Sequence, residues 1–299
     1  MPATSSTTIS HPGYKALART ISLIENEHPD SPSILSSLGI NFNIPVIGIT
    51  GPPGAGKSTI VNALIGSLLK SEKKIGIIAV DPSSPFNYGA ILGDRLRLSE
   101  HFNNNNVYIR SLATRGSLGG LTDKIIEVID VMRSHPFDYI FVETVGVGQS
   151  EVEIAALADT TIVVVTPEAG DEVQTMKAGV MEIADIFIVN KADHVGADSF
   201  VKNLKLLSAS KHTEEWVIPV LKTTATENKG FDKVIDAISK HQALHPSNPR
   251  RLYLLYEKAI RLIQKNRLKN IDRDGMMKDL KRQLKSASFN LYKWIEGYY

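Results

Sequence analysis

The chain has 299 residues, 42% of them hydrophobic and 22% charged, with no cysteine. This composition excludes wholesale disorder, a disulfide framework and thiolate chemistry, and no run approaches the ~20 apolar residues of a membrane span. The net charge of +2 singles out no partner, but residues 250–299 hold 13 Lys/Arg against 5 Asp/Glu, so the rest of the chain is net acidic.

Met1 to Gly13 is rich in Ser and Thr and has no charged side chain. It lacks the basic start and apolar core of a secretory signal, and no arginine of a transit peptide precedes Arg19. It reads as a loose terminus. A cytoplasmic location is expected, since a cysteine-free chain suits a reducing compartment. Tyr14, Leu17, Ala18, Ile21 and Ile24 recur at helical spacing, and Pro29 ends that run. Ser31 is expected to cap a second short helix through Leu38, with Pro32 at its first position.

From Ile44 onward, short apolar runs alternate with helical segments. The predicted strands are Val46–Thr50, Ile75–Asp81, Val107–Arg110, Tyr139–Glu143, Thr161–Thr166, Ile186–Asn190 and Trp216–Leu221. They are near-continuously apolar and β-branched, as strands buried on both faces are. The predicted helices are Lys57–Lys70, Thr122–Ser134, Ser150–Ala158, Val173–Ile183, Ser199–Ala209 and Phe231–His241. This alternation implies an α/β fold with a mainly parallel sheet flanked by helices.

After Pro246 and Pro249 the strand signals stop. Leu252, Leu255, Tyr256, Ala259, Ile260 and Ile263 form one helical stripe, and Met277, Leu280, Leu284, Ala287, Leu291 and Trp294 form another. Asp274-Gly275 reads as the turn between them. A helical hairpin of roughly 50 residues cannot bury a core alone. Its stripe is expected to lie on the α/β domain or on a second copy of the chain. The expected organisation is an N-terminal helical extension (1–40), a P-loop domain (41–245) and a C-terminal helical arm (246–299).

Gly51-Pro52-Pro53-Gly54-Ala55-Gly56-Lys57-Ser58 matches G-x-x-x-x-G-K-[ST] between a predicted strand and a predicted helix. Such a loop turns its N–H groups and a helix N-terminus toward phosphate. Lys57 is placed to meet the β- and γ-phosphates and Ser58 to hold Mg²⁺, and Thr59 joins the nucleotide-binding set. Asn190-Lys191-Ala192-Asp193 ends the sixth strand run. One carboxylate, Asp193, can accept both the ring N1–H and the exocyclic amine of guanine, a donor pair that adenine lacks. The expected ligand is therefore GTP or GDP. Lys191 would lie along the base, Asn190 would brace the loop, and Thr223-Thr224-Ala225 would offer backbone contacts.

Asp81 and Glu143 end the second and fourth predicted strands, and Asp94 follows a glycine in Ile91-Leu92-Gly93-Asp94. Carboxyl ends of strands are where such sheets place ligands. Carboxylates there can hold Mg²⁺ and its waters or orient the attacking water, and helix capping or a salt bridge is the competing reading. Glu143-Thr144-Val145-Gly146 stands where nucleotide switches often have Asp-x-x-Gly, with the Gly146 N–H facing the γ-phosphate.

These stretches, with Ala79–Ser84, Val142–Glu151 and Ala169-Gly170-Asp171-Glu172, resemble the methylmalonyl-CoA mutase-associated GTPases, chaperones of cobalamin-dependent acyl-CoA mutases. That family is also known as lysine/arginine/ornithine transport-system kinases. The resemblance implies a homodimer that docks on the mutase and gates transfer of adenosylcobalamin from an adenosyltransferase. The cobalamin is handled through the partner and not bound by this chain. The resemblance also assigns Asp81, Asp94 and Glu143 as Mg²⁺ and switch carboxylates. It makes Thr166–Lys177 a coupling loop, with Asp171, Glu172, Gln174 and Lys177 as its partner-coupling residues.

A P-loop kinase and a nickel-insertion GTPase are the alternatives. The latter needs Cys/His ligands that the chain does not supply in a recognisable pattern, and His241 and His245 read as a solvent-facing pair. The basic tail contains no nucleic-acid reader motif, so neither nucleic acid nor membrane is an expected partner.

Overall fold

The computed structural model describes residues 13–81, 98–113, 124–144, 150–167, 178–209, 216–244, 249–268, 271–285 and 289–298. Seven strands form one sheet: β1 (Val46–Thr50), β2 (Ile75–Asp81), β3 (Val107–Ala113), β4 (Tyr139–Glu143), β5 (Thr160–Val165), β6 (Ile186–Val189) and β7 (Val220–Lys222). Their order is β3-β2-β4-β1-β5-β6-β7, and every pairing is parallel. Strand β1 is therefore central and paired on both edges, and all its residues are buried.

The period of two distributes the apolar side chains to the two faces. Ile47 and Ile49 of β1, Ile77 of β2, Phe141 of β4 and Ile162 and Val164 of β5 share a core with α3 (Lys57–Leu69) and with Phe231, Val234 and Ile238. The last three belong to α8 (Phe231–Leu244), which follows β7. On the other face, Ile78, Val80, Ile140 and Val142 pack with α1 (Gly13–Glu25) and α4 (Ile125–Arg133). Leu17, Ile21 and Ile24 of α1 are fully buried there, which explains the N-terminal stripe. A third cluster joins Val163, Val165, Phe187 and Val189 to Ala155 of α5 (Ser150–Leu157), to α6 (Ala178–Ile183) and to α7 (Ala197–Ala209). Both faces are covered, as a parallel sheet requires.

The sequence and the structure differ in details that tertiary contacts decide. The short α2 (Ser31–Ser36) begins at Ser31 itself, and the preceding Asp30 makes no side-chain cap bond. The Ser31 hydroxyl instead donates to Leu23 O at 3.1 Å, joining α2 to α1. The seventh strand is shorter than its apolar run. Trp216 leaves it, donates its indole N–H to Asp185 O at 2.8 Å and packs edge-on against His241. His241, on α8 (Phe231–Leu244), is not solvent-facing: it is 4% exposed, with Nδ1 2.8 Å from Thr160 Oγ1 and Nε2 3.6 Å from Asp185 Oδ1. His245, its expected companion, lies outside the described residues.

The chain divides into two compact units, Met1–Arg251 and Leu252–Tyr299. Helix α9 (Pro249–Arg267) leads into the second, which also holds α10 (Arg273–Gln283) and α11 (Leu291–Ile295). Asp274-Gly275 is not a turn but part of the first turn of α10. Asp272 caps that helix by accepting from Gly275 N at 2.9 Å. The second stripe is likewise broken into two helices, tied together where Trp294 Nε1 donates to Asp279 Oδ2 at 2.8 Å. Leu252, Tyr253, Tyr256, Leu262 and Ile263 are exposed.

At the amino ends of the strands, Arg133 of α4 binds Asp159, which precedes β5. Arg133 Nη2 lies 2.5 Å from Asp159 Oδ2, and its Nε donates to Ile44 O at 3.1 Å. The same Asp159 oxygen accepts from Val46 N at 2.8 Å, which fixes the entry to β1. Both side chains are nearly inaccessible. Arg133→Ala should therefore cost about 3 kcal/mol or more, because it strands a buried carboxylate. The check is the urea unfolding midpoint at unchanged denaturant slope.

Candidate functional site

The phosphate loop leaves the sheet at the carboxyl end of β1. Gly51 has φ +143°, and a Cβ there would sit 2.1 Å from Val164 O, so only glycine lets the chain depart so close to β5. Gly56 has φ +88° and forms the left-handed N-cap of α3 with no side-chain cap bond. The N-terminus of this thirteen-residue helix carries partial positive charge and favours an anion. Lys57 is buried, and its Nζ donates to Gly51 O at 2.9 Å and to Pro52 O at 3.1 Å. Its charge is thereby held against the loop that Pro53, Gly54 and Ala55 complete. Thr59 is half-buried one residue beyond Ser58.

Ser58 and Glu143 meet across the sheet. Both are 4% exposed, and Ser58 Oγ donates to Glu143 Oε1 at 2.6 Å. Glu143 pairs in register with Ile49 of β1 and Ala79 of β2, which puts its carboxylate beside the loop. A buried hydroxyl and a buried carboxylate in contact form an all-oxygen donor set, which fits a hard divalent cation such as Mg²⁺. Asp81 closes β2, in register with Ala113, at the same carboxyl edge of the sheet. Asp94 and Gly146 lie outside the described residues, as do Asp171, Glu172, Gln174 and Lys177. Thr144 was not singled out by sequence reasoning. Its hydroxyl donates to Thr50 Oγ1 at 3.0 Å and ties the ends of β4 and β1. The one local signal for this pair is a threonine at the end of each apolar run.

The segment after β6 converges on the same loop. Asn190 is 3% exposed, and its Nδ2 donates to Ala55 O at 2.9 Å. Its Oδ1 accepts from Thr223 Oγ1 and from Ala225 N, each at 3.2 Å. One amide thus uses both of its ends to join the phosphate loop to the segment after β7. A Cβ on Gly56 would lie 2.4 Å from Asn190 Nδ2, so the second glycine is also required by this contact. Lys191 adopts φ +55°, and Ala192 N donates to Thr223 O at 3.1 Å, which fixes the turn. Asp193 is the accessible member, its side chain 52% exposed, with His194 Nε2 at 3.8 Å. Lys229 lies nearby: its hydrogen bond to Glu227 holds its ammonium above the usual lysine value, and the Asp193 carboxylate adds to the effect. Thr223 and Thr224 are buried beside it.

A phosphate-binding turn, an oxygen donor pair for a cation and an accessible carboxylate at the mouth lie along the carboxyl edge of one parallel sheet. The profile of the family described as "Methylmalonyl Co-A mutase-associated GTPase MeaB" matches residues 17–273. The chain belongs to this family. A relative from Pyrococcus abyssi named as a GTPase is 49% identical over 233 residues, covering 76% of this chain and 72% of that one. The mouse protein named "Methylmalonic aciduria type A homolog, mitochondrial" is 36% identical over 204 residues, 66% of this chain and 48% of its own. A solved structure titled "LAO/AO transport system kinase" has 25% identity and a TM-score of 0.64, covering 95% of this chain and 91% of that one. The chain is a P-loop GTPase of this family.

Two variants test the base site. Asn190→Ala removes a buried three-way tie and should cost about 1–3 kcal/mol of stability. It should also weaken GDP and XDP alike by roughly tenfold, since 1.4 kcal/mol is a factor of ten. Thermal unfolding and fluorescent-nucleotide titration read the two effects. Asp193→Asn should leave the fold intact and lower the preference for GTP over XTP by roughly a hundredfold or more, because the amide offers a donor where guanine needs an acceptor. Competition between the two nucleotides for the variant checks this.

Proposed function

We propose that this GTPase serves an adenosylcobalamin-dependent acyl-CoA mutase, most directly methylmalonyl-CoA mutase, in the cytoplasm. It gates loading of the cofactor delivered by an adenosyltransferase and supports reactivation of the mutase. The observation that carries this reading is the family match over residues 17–273, which spans the phosphate loop, Glu143 and the Asn190–Asp193 segment. The name of the mouse relative, a methylmalonic aciduria homologue, agrees with it. Adenosylcobalamin would be handled by the mutase and not by this chain.

In this reading Asp193 selects guanine and Asn190 holds its loop. Backbone N–H groups of Gly51–Ser58 and the N-terminus of α3 orient the phosphates, and Lys57 meets the charge that develops on the β- and γ-oxygens. Ser58 and Glu143, with Asp81 and Asp94, would hold Mg²⁺, which supplies charge neutralisation at the phosphates. Exclusion of bulk water by the buried Ser58–Glu143 pair strengthens each of these electrostatic contacts. The exposed apolar side chains of α9, together with the helices that follow, suit a homodimer contact. A kinase needs an acceptor site as well as a P-loop, and the match of this chain is to a GTPase family.

Thr166 and Pro167 begin the coupling segment directly after β5, at the nucleotide edge. A segment rooted there can be biased by the γ-phosphate and present a different surface to a partner in each state. GTP turnover should rise when the mutase is added. Lys177→Ala should lose most of that stimulation and keep basal turnover. Turnover with and without mutase, and cobalamin delivery in the same samples, measure both. A wild-type protein that no cobalamin mutase stimulates, and that does not co-purify with one, rejects the reading.

A further inference from the structure

Asn62 lies one turn beyond Ser58 on α3, on the same side of the helix. Asparagine is a poor interior helix residue because its side chain competes for backbone bonds. Here it is drawn into tertiary contacts instead. Asn62 Nδ2 donates to Glu100 Oε1 at 2.5 Å, and Asn62 Oδ1 is 2.8 Å from His101 Nε2. An amide oxygen only accepts, so the hydrogen-bond network assigns the proton to Nε2 of His101. The same nitrogen is 3.6 Å from Glu100 Oε1, and the His101 side chain is 11% exposed. Burial pushes the imidazole below its ordinary value, with Glu100 acting against it, which favours the neutral ring with its proton on Nε2.

Glu100 and His101 belong to a single 3-10 turn, Ser99–His101. Leu98, just before it, is 1% exposed in the same apolar cluster as Ile60 and Leu64 of α3. Its carbonyl accepts from His101 N at 3.1 Å, and His101 O accepts from Asn104 N at 3.0 Å. The turn is therefore fastened to the phosphate-loop helix by an apolar anchor and by a polar clasp.

We propose that Asn62, Glu100 and His101 are positioning residues for GTP hydrolysis: their clasp fixes the Leu98–His101 turn, which follows Asp94 in sequence, on the helix carrying Lys57 and Ser58. This rests on the reading of Asp94 as a metal or switch carboxylate. Asp94 is four residues upstream of Leu98 in sequence, a span of at most about 14 Å of extended chain. A shift of the turn of about 1 Å is enough to cost up to a hundredfold in rate when it misplaces a reacting group. None of the three residues is required to touch nucleotide, and none is part of the phosphate loop or the base site.

The experiment compares Asn62→Ala, His101→Leu, His101→Gln and the Asn62→Ala/His101→Leu pair. Asn62→Ala improves helix propensity, so it is expected to fold. Breaking the clasp should lower kcat about tenfold, equivalent to about 1.4 kcal/mol of barrier, while KM and GDP affinity change less than about twofold. His101→Gln, which keeps an N–H donor for Asn62, should restore most of the rate. The double variant should lose no more than the worse single one, as expected for one shared interaction. Unchanged kcat in both single variants overturns the proposal. So does a loss of kcat that tracks equal losses of GDP affinity and thermal stability, which would make the cluster a support of the fold. Asp94→Asn separates the premise: wild-type turnover by that variant removes the proposal with its premise, whereas inactive Asp94→Asn beside fully active clasp variants overturns the clasp alone.

Discussion

The end of β1 is the constraint on which the site depends. A strand buried on both faces and paired on both edges has one way out, along its own axis. Gly51 makes that exit possible by passing Val164 O at a distance that no Cβ would tolerate. The chain then turns over the carboxyl edge and enters α3 through a second left-handed glycine. Everything aimed at phosphate is set by these two backbone positions, and the helix that follows is clamped by the apolar core beneath it. A loop so fixed meets a ligand without first being ordered, which reduces the entropy lost on binding.

Around this exit the fold places polar groups that are costly to bury unless paired. Ser58 donates to one oxygen of Glu143, Thr144 donates to Thr50, and Asn190 spends both ends of its amide on the phosphate loop and the segment after β7. The segment after β6 and the phosphate loop are consequently one mechanical object. Asp193 differs from its neighbours in being accessible, as its proposed contact with an incoming base requires.

The opposite edge of the sheet carries scaffold interactions. Arg133 and Asp159 fix the entry to β1, while Asp185, His241 and Trp216 lock α8 against β5 and β6. Helix α1 seals the second face with Leu17, Ile21 and Ile24, and an Arg110 ion pair to Glu25 ties it to β3. The Arg133–Asp159 and Asp185–His241 pairs thus lie at the amino ends of the strands, away from the edge where a nucleotide would change the local charge.

Much of this was determined by the sequence alone, because the relevant signals are local. Continuous β-branched runs demand burial on both faces, which gave the strands β1, β2 and β4 residue for residue. The spacing of Gly51–Ser58 encodes a strand-to-helix turn, and Asn190–Asp193 sits at a strand end, so the placement of both segments was legible without coordinates. What only the tertiary structure decided involves partners distant in the chain. Strand order is one such outcome: β4 lies between β2 and β1, which are consecutive in sequence. Trp216 leaves β7 because Asp185 O lies within reach of its indole, and His241 is drawn inside by Thr160 and Asp185. Asp274-Gly275 looks like a turn, yet it is helical because Asp272 caps the backbone three residues on. Asn62, Glu100 and His101 carry no motif at all, since their meaning lies in hydrogen bonds between elements that only folding brings together.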